Sequence, residues 1–461
     1  MISNHHIKLI SFYLSIIVSV VVLYFFNGTG QEADSINHYL YAKYAPIHPE
    51  LYLNHWAKPL FTLLATPFAQ YGFVGVKVFN VLCTLLSIYF AERIATKLNL
   101  KHSWLIAFFV FLMPLTYLVT FSGLTEPLAA LILTLGIYLI LDKKLTSAAI
   151  LISFLPFVRS EGLILIGLIG FYFLANKQFK VLPYLLVGHL VYSLIGWHYY
   201  QDFLWVFTKI PYASLSSPYG SGSIFHFPVQ LIYVTGLPLL ILFCIGLIGL
   251  LYFNLRKKRW KSTPLLLIAF SFLAFFIAHA LFWKFGIFNS MGLKRVLGCL
   301  IPIMAVICLY GFNYAFEWIK SKKIRNTIQA LFLIYSFVFI FTSNPAAVDW
   351  QKDLNLNESQ NLANQVSTWV NSEFNTLPLL VYSDPYLSES LNLDPFNPAV
   401  HSILDHAEKL KQPGIIIWDN WHSPTDWGIQ LKDLESNKDL KLLRVFEKNS
   451  SKYVIFKSLK H

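Results

Sequence analysis

Long apolar runs broken by short charged segments fill the first three quarters of the chain. They fall near 8–26, 73–91, 103–120, 125–141, 182–200, 229–253, 263–282, 296–316 and 326–343. Runs approaching 20 residues match the length an α-helix needs to cross a bilayer. The stretch 145–175 has Arg159-Ser160-Glu161-Gly162 in its middle, Lys143-Lys144 before it, and Lys177 and Lys180 after it. Reading it as two short spans, 145–157 and 162–175, puts both basic ends on one side and the Arg-Ser-Glu turn on the other. Spans this short imply tilted helices or a locally thinned membrane. The pattern predicts eleven spans. From about residue 344 the period changes. Leu362, Val366, Trp369 and Val370 recur at helical spacing, and β-rich runs follow at Leu379–Tyr382, Ile415–Trp418, Leu442–Phe446 and Tyr453–Phe456. The expected architecture is a polytopic α-helical membrane domain over 1–343 and a small soluble α/β domain over 344–461.

Composition agrees with this. Of 461 residues 56% are hydrophobic and only 13% charged, against about 25% charged in a soluble domain, which excludes an ordinary cytosolic enzyme. The formal charge of +12 resembles a nucleic-acid signal until it is divided: residues 1–345 carry +16 and the remainder −4. No nucleic-acid partner is required, because 17 of the 25 cations in the membrane part fall in alternate loops together with only three acids, Glu92, Asp142 and Glu317. Lys and Arg collect in cytoplasmic loops, so the N-terminus is expected inside and the tail outside. The first run lacks a small-residue cleavage site and is read as a retained span. Cys83, Cys244, Cys299 and Cys308 all lie in apolar runs, with neither metal spacing nor a disulfide framework. No phosphate-binding glycine loop is present.

Three outer loops are too long to be mere connectors. The first, 27–72, holds Gln31-Glu32-Ala33-Asp34, a Tyr/His-rich helical stretch, Asn54-His55-Trp56-Ala57-Lys58-Pro59-Leu60, and an amphipathic piece ending at Tyr71. The second, 201–228, ends in Pro218-Tyr219-Gly220-Ser221-Gly222-Ser223 and reads as a flexible lid. The third, 283–295, ends in Lys294-Arg295.

Ionisable groups at the edge of an apolar span are costly and are functional candidates by default. Glu32, Asp34, Glu126, Arg159, Glu161, Lys294 and Arg295 all fall at the outer level. Acids and cations gathered at one bilayer face suit a substrate with an anionic head and a lipid tail. Asp34 is the sharpest candidate, either a general base acting on an acceptor or a helix-capping acid. Glu32 is placed to second it, or to share a divalent cation with Asp34 and Glu126. Arg295, with Lys294, is read as a phosphate clamp or an interfacial anchor. Arg159 and Glu161 bind substrate or form a structural ion pair, and His55 lines a cleft or packs. His38, Tyr39 and Tyr41 read as packing and interface residues.

These motifs together resemble the GT-C class of polyprenyl-phosphate-sugar-dependent glycosyltransferases, nearest the protein-mannosyltransferase and lipid A aminoarabinose-transferase branch. The resemblance covers about residues 8–343. It rests on Glu32-Ala33-Asp34, on Lys58-Pro59-Leu60, on Ser122-Gly123-Leu124-Thr125-Glu126-Pro127, on Arg159-Ser160-Glu161-Gly162, and on Lys294-Arg295-Val296-Leu297 with Pro302. Lys58 stands where the family commonly has Pro, and Val296 where it commonly has Tyr. The resemblance implies inverting transfer of a sugar at the outer face of a bacterial inner membrane. Its donor would be a sugar on a polyprenyl phosphate, and its acceptor a lipid, glycan or protein. Asp34 would be the base, with Glu32 beside it. Substrate would be held by Arg295, Lys294, Arg159, Glu161, His55, Lys58 and Glu126. No cofactor is implied beyond a possible divalent cation. Two other readings use the same charges: a transporter or flippase of lipid-linked sugars, and a non-catalytic sensor or assembly protein acting through the tail.

Overall fold

The computed structural model describes residues 4–30, 33–213, 215–374, 379–397, 401–403 and 414–458. Each expected apolar run is helical. Among the described residues, six helices are long and apolar enough to cross a membrane: His6–Phe25, Phe73–Lys97, Phe179–Tyr200, Leu237–Arg256, Pro264–Phe285 and Lys294–Glu317. Shorter apolar helices, among them Glu126–Leu141, Leu145–Phe157 and Gly162–Ala175, pack between them. The fold is that of a multi-pass membrane protein.

Two expected spans are broken rather than continuous. The run 103–120 divides into Leu105–Leu112 and Pro114–Thr120, with Met113 extended between them. Proline lacks an N–H and forces the preceding residue out of the helical region. The run 229–253 divides into His226–Thr235 and Leu237–Arg256 at Gly236, whose φ is 71°. A left-handed glycine ends one helix, and Pro238 in the first turn starts the next. The amphipathic piece of the first loop is the Pro59–Ala69 helix. The second loop is not loose over its length: Ser217 N–H donates to the Gly286 carbonyl at 2.6 Å, and Gly222 N–H to the Trp283 carbonyl at 3.1 Å.

In the tail, the helix Glu358–Glu373 begins with a capping box between Asn357 and Gln360 and buries Leu362, Val366 and Val370. The sheet has five strands: β1 Leu379–Tyr382, β2 His401–Ile403, β3 Gly414–Asp419, β4 Leu440–Lys448 and β5 Ser451–Ser458, in the order β2-β1-β3-β5-β4. β1 runs parallel to β2 and β3, while β5 runs antiparallel to β3 and β4. Alternation sends Leu380, Ile415, Ile417 and Ile455 to the helix side, and Val381, Ile416, Val454 and Phe456 to the other. β2 was not expected from the pattern.

The tail is bound to the first loop by polar contacts. From the helix Ala33–Tyr44, Tyr39 donates to Glu389 at 2.7 Å and Tyr44 to the Leu393 carbonyl at 2.8 Å. His48 meets Asp394 at 2.7 Å, and Gln360 donates to Thr29 at 2.6 Å. The element carrying Asp34 is therefore held from the membrane side and from the tail.

Candidate active site

Asp34 lies in the first turn of Ala33–Tyr44, where exposed backbone N–H groups favour a negative charge. The helix start is pinned by its neighbour. Ser35 Oγ accepts from the Gly123 N–H at 2.6 Å, and a Cβ on Gly123 would stand 2.3 Å from the Ser35 carbonyl oxygen, so only glycine admits this approach. The turn bearing Gly123 is itself clamped by Asn80, whose amide donates to the carbonyls of Ser122 and Leu124 at 2.7 and 2.9 Å.

The Asp34 carboxylate is paired with the Arg295 guanidinium from 261 residues along the chain. Arg295 is buried, while two fifths of the Asp34 side chain stays exposed, which leaves the carboxylate open to a molecule arriving from solvent. Burial alone pushes the Asp34 pKa up, but the guanidinium groups of Arg295 and Arg159 outweigh it and hold the carboxyl below its ordinary value. His38, one turn further on, is buried and stacks on Trp56 at 5.0 Å. Burial, with Lys58, Arg295 and Arg159 adding to it and Asp34 opposing, pushes its pKa down to about 3. The ring is neutral and shares the wall with Asp34.

Beside this pair is a second cluster. Arg159 donates through Nη1 to Glu126 at 2.7 Å and through Nη2 to Glu161 at 2.8 Å. Glu126 is fully buried, and among the described residues its second oxygen has no hydrogen-bond partner; nor has Arg159 Nε. His279 Nε2 stands 4.0 Å from Glu161. Lys58 Nζ donates to Ser160 at 3.0 Å and lies 4.9 Å over the Tyr212 ring. Burial pushes Lys58 down to about 8, against the attraction of Glu161 and Asp34. Burial also raises Glu161, but Arg159, His279 and Lys58 together hold it well below the carboxylate range.

The structure thus brings Asp34, Arg295, Lys58, Glu126, Arg159 and Glu161 together. Lys294 sits apart, with Nζ 5.5 Å over the Tyr233 ring. His55 is buried against the Val206 carbonyl at 3.0 Å and lines a water-sized cavity with Ser160 and His189. Glu32 lies outside the described residues. Among the described residues no three His, Cys, Asp or Glu side chains form a metal cluster. Asp34 and Glu126, which one of the two readings of Glu32 would join to it on a divalent cation, each face a guanidinium.

Sequence reading had not placed His38, Ser160 or Tyr212 at this site. His38 carried a usable signal, its i+4 spacing from Asp34. Tyr212 carried none, since only the course of the 201–228 loop brings it over Lys58.

No family model matches the sequence, and no curated protein sequence matches it. Solved structures do. The crystal structure of ArnT from Cupriavidus metallidurans bound to undecaprenyl phosphate superposes with a TM-score of 0.64 at 11% identity, covering 97% of this chain and 98% of that one. The Archaeoglobus fulgidus oligosaccharyltransferase matches in its apo form with a TM-score of 0.56 at 12% identity, over 89% of this chain and 69% of that one. Its complex with Zn and sulfate matches at 0.55 and 12%, over 90% and 68%. At these identities the likeness is one of fold: the chain shares the fold of ArnT and of the archaeal oligosaccharyltransferase.

Proposed function

We propose that this chain is a membrane glycosyltransferase that moves a sugar from a polyprenyl-phosphate donor to an acceptor, with inversion and with Asp34 as general base. The observation that carries the reading is the Asp34–Arg295 pair beside the Arg159–Lys58 cluster: a solvent-reachable carboxylate next to three cations at one face of a helical bundle. The fold shared with ArnT, whose crystal structure holds undecaprenyl phosphate, supports a lipid-phosphate donor.

In the resting site the base is masked, because a carboxylate held low by a guanidinium is a weak proton acceptor. A donor phosphate entering between Arg295, Lys58 and Arg159 draws Arg295 toward itself and frees Asp34, whose proton affinity then rises. Asp34 removes the proton from the acceptor hydroxyl or amine. The acceptor atom bonds the anomeric carbon as the bond from that carbon to the phosphate oxygen breaks. Polyprenyl phosphate leaves with the electron pair, its charge met by the preplaced cations. No step requires a nucleotide. The resemblance implies a bacterial inner membrane, and the charge bias of the loops supports a cytoplasmic N-terminus with both the site and the tail outside. It also supports the division into a catalytic membrane part, 1–343, and a soluble tail, 344–461.

The test uses purified chain, a polyprenyl-phosphate pentose or hexose, and an envelope lipid and glycan extract as acceptor. Wild type is expected to release polyprenyl phosphate and label the acceptor, and Asp34→Asn to do neither. Movement of intact donor across a vesicle membrane without release would identify a transporter instead.

A further inference from the structure

Where the first span ends, the chain leaves a cavity of about 570 Å³ between that span, the start of Phe73–Lys97 and the tail, a size typical of small-ligand sites. Its walls divide by chemistry. On the lipid side stand Tyr24, Phe25 and Val74, which are 82%, 69% and 57% exposed. Its polar lining is Lys77, which is buried, Asn355 and Glu389, which are half-buried, and Asn27, which is exposed.

Lys77 is 2% exposed and sits four residues into its helix, about 6 Å below the helix start. Its ammonium donates to the carbonyls of Phe26 and Gly28 at 3.1 and 3.0 Å. An ammonium has three N–H groups, so one remains beyond these two bonds. Glu389 accepts from Tyr39 and Lys43 through one oxygen, Oε2, and its other oxygen is not used in these bonds. A buried cation and a carboxylate therefore line one cavity whose mouth is apolar and faces the bilayer. Ionisable groups at such a depth are retained where they meet a partner.

We propose that this cavity binds a zwitterionic glycerophospholipid of the phosphoethanolamine type, drawn from the leaflet on the Asp34 side. Its phosphate lies on Lys77, its ammonium reaches Glu389, and an acyl chain runs along Tyr24, Phe25 and Val74. The lipid is distinct from the sugar donor, which the Arg159 cluster takes. Because Ile36 of the catalytic helix and Asn355 of the tail also line the cavity, the bound head joins membrane part, catalytic helix and tail.

The test is native mass spectrometry of the full chain released from detergent with dioleoyl phosphatidylethanolamine, dioleoyl phosphatidylglycerol or dioleoylglycerol. One phosphatidylethanolamine should be retained about tenfold more tightly than dioleoylglycerol. Lys77→Met should lose both phospholipids. Glu389→Gln should keep phosphatidylglycerol and lose the preference for phosphatidylethanolamine. Val74→Trp, which fills the mouth from an exposed position, should lower occupancy, so the test survives if Lys77→Met fails to fold. The proposal is overturned if dioleoylglycerol binds as well as phosphatidylethanolamine. Unchanged lipid stoichiometry in Val74→Trp also overturns it, as does soluble phosphoethanolamine binding as tightly as the lipid.

Discussion

Two buried charge clusters in this molecule have opposite characters. In the tail, Asp419 accepts from the backbone N–H groups of Trp421 and His422, from Ser423 and from the His422 ring, while Asp384 accepts from Tyr453 at 2.5 Å and from the Tyr386 N–H. His422 is pushed down by burial, but the carboxylates of Asp419 and Asp384 outweigh this and raise it to about 9. Among the described residues, no buried side-chain nitrogen or oxygen of Asp384, Asp419 or His422 lacks a hydrogen-bond partner. At the membrane face, by contrast, Glu126 keeps an orphan oxygen, Arg159 an orphan N–H and His38 an orphan ring nitrogen, and Asp34 remains open to solvent. A saturated network rigidifies what it joins. An unsaturated one, costly while empty, is what a site that must exchange partners with a ligand looks like.

The comparison can be broken by experiment. The largest effect is expected from Asp34→Asn, which removes the base while keeping its shape. Turnover should fall about 10²- to 10⁴-fold with donor KM little changed, measured as polyprenyl phosphate release; a raised donor KM with turnover unchanged would make Asp34 a binding group instead. Arg159→Met strands Glu126 in the interior and should cost about 3–5 kcal/mol of stability, read as a large drop in thermal midpoint in detergent. If the midpoint is unchanged, the cluster is not the buried pair described.

The Lys58 prediction concerns pH. With its pKa near 8, Lys58 loses its charge as pH rises through 8, so donor affinity should weaken about tenfold per pH unit above that point. Lys58→Arg should remove this dependence. The smallest effects belong to the tail. A histidine whose folded pKa is raised contributes stability that is complete below its unfolded value of about 6.5 and is lost as pH rises through about 9. Protection of the β3 and β5 amides, taken relative to their intrinsic exchange rate at each pH, should therefore fall over that window, and His422→Gln should flatten the profile. Tyr453→Phe, which removes one buried hydrogen bond to Asp384, should cost about 1 kcal/mol and leave transfer untouched.

Much of the architecture was legible because bilayer and sheet impose simple periods. Apolar length marked the spans, and short runs rich in β-branched and aromatic residues marked β1, β3, β4 and β5. β2 escaped because three residues, His401–Ile403, are too few to display a period. The helix breaks at Met113 and Gly236 had their signals in Pro114, Gly236 and Pro238, but continuous hydrophobicity across each masked them. At the site, Asp34 and the Arg159–Glu161 turn stood out as charges against apolar flanks. The order and the outer placement of these short motifs carried the family resemblance as well.

What the sequence determined by itself was where charge is scarce and where it is not, because hydration cost decides which residues border a membrane whatever the fold. Only the tertiary structure decided who faces whom. Asp34 meets Arg295 across 261 residues, and Glu126 meets Arg159 across 33, because helix packing brings distant chain ends together and ion pairing acts through space, without a period to read along the chain.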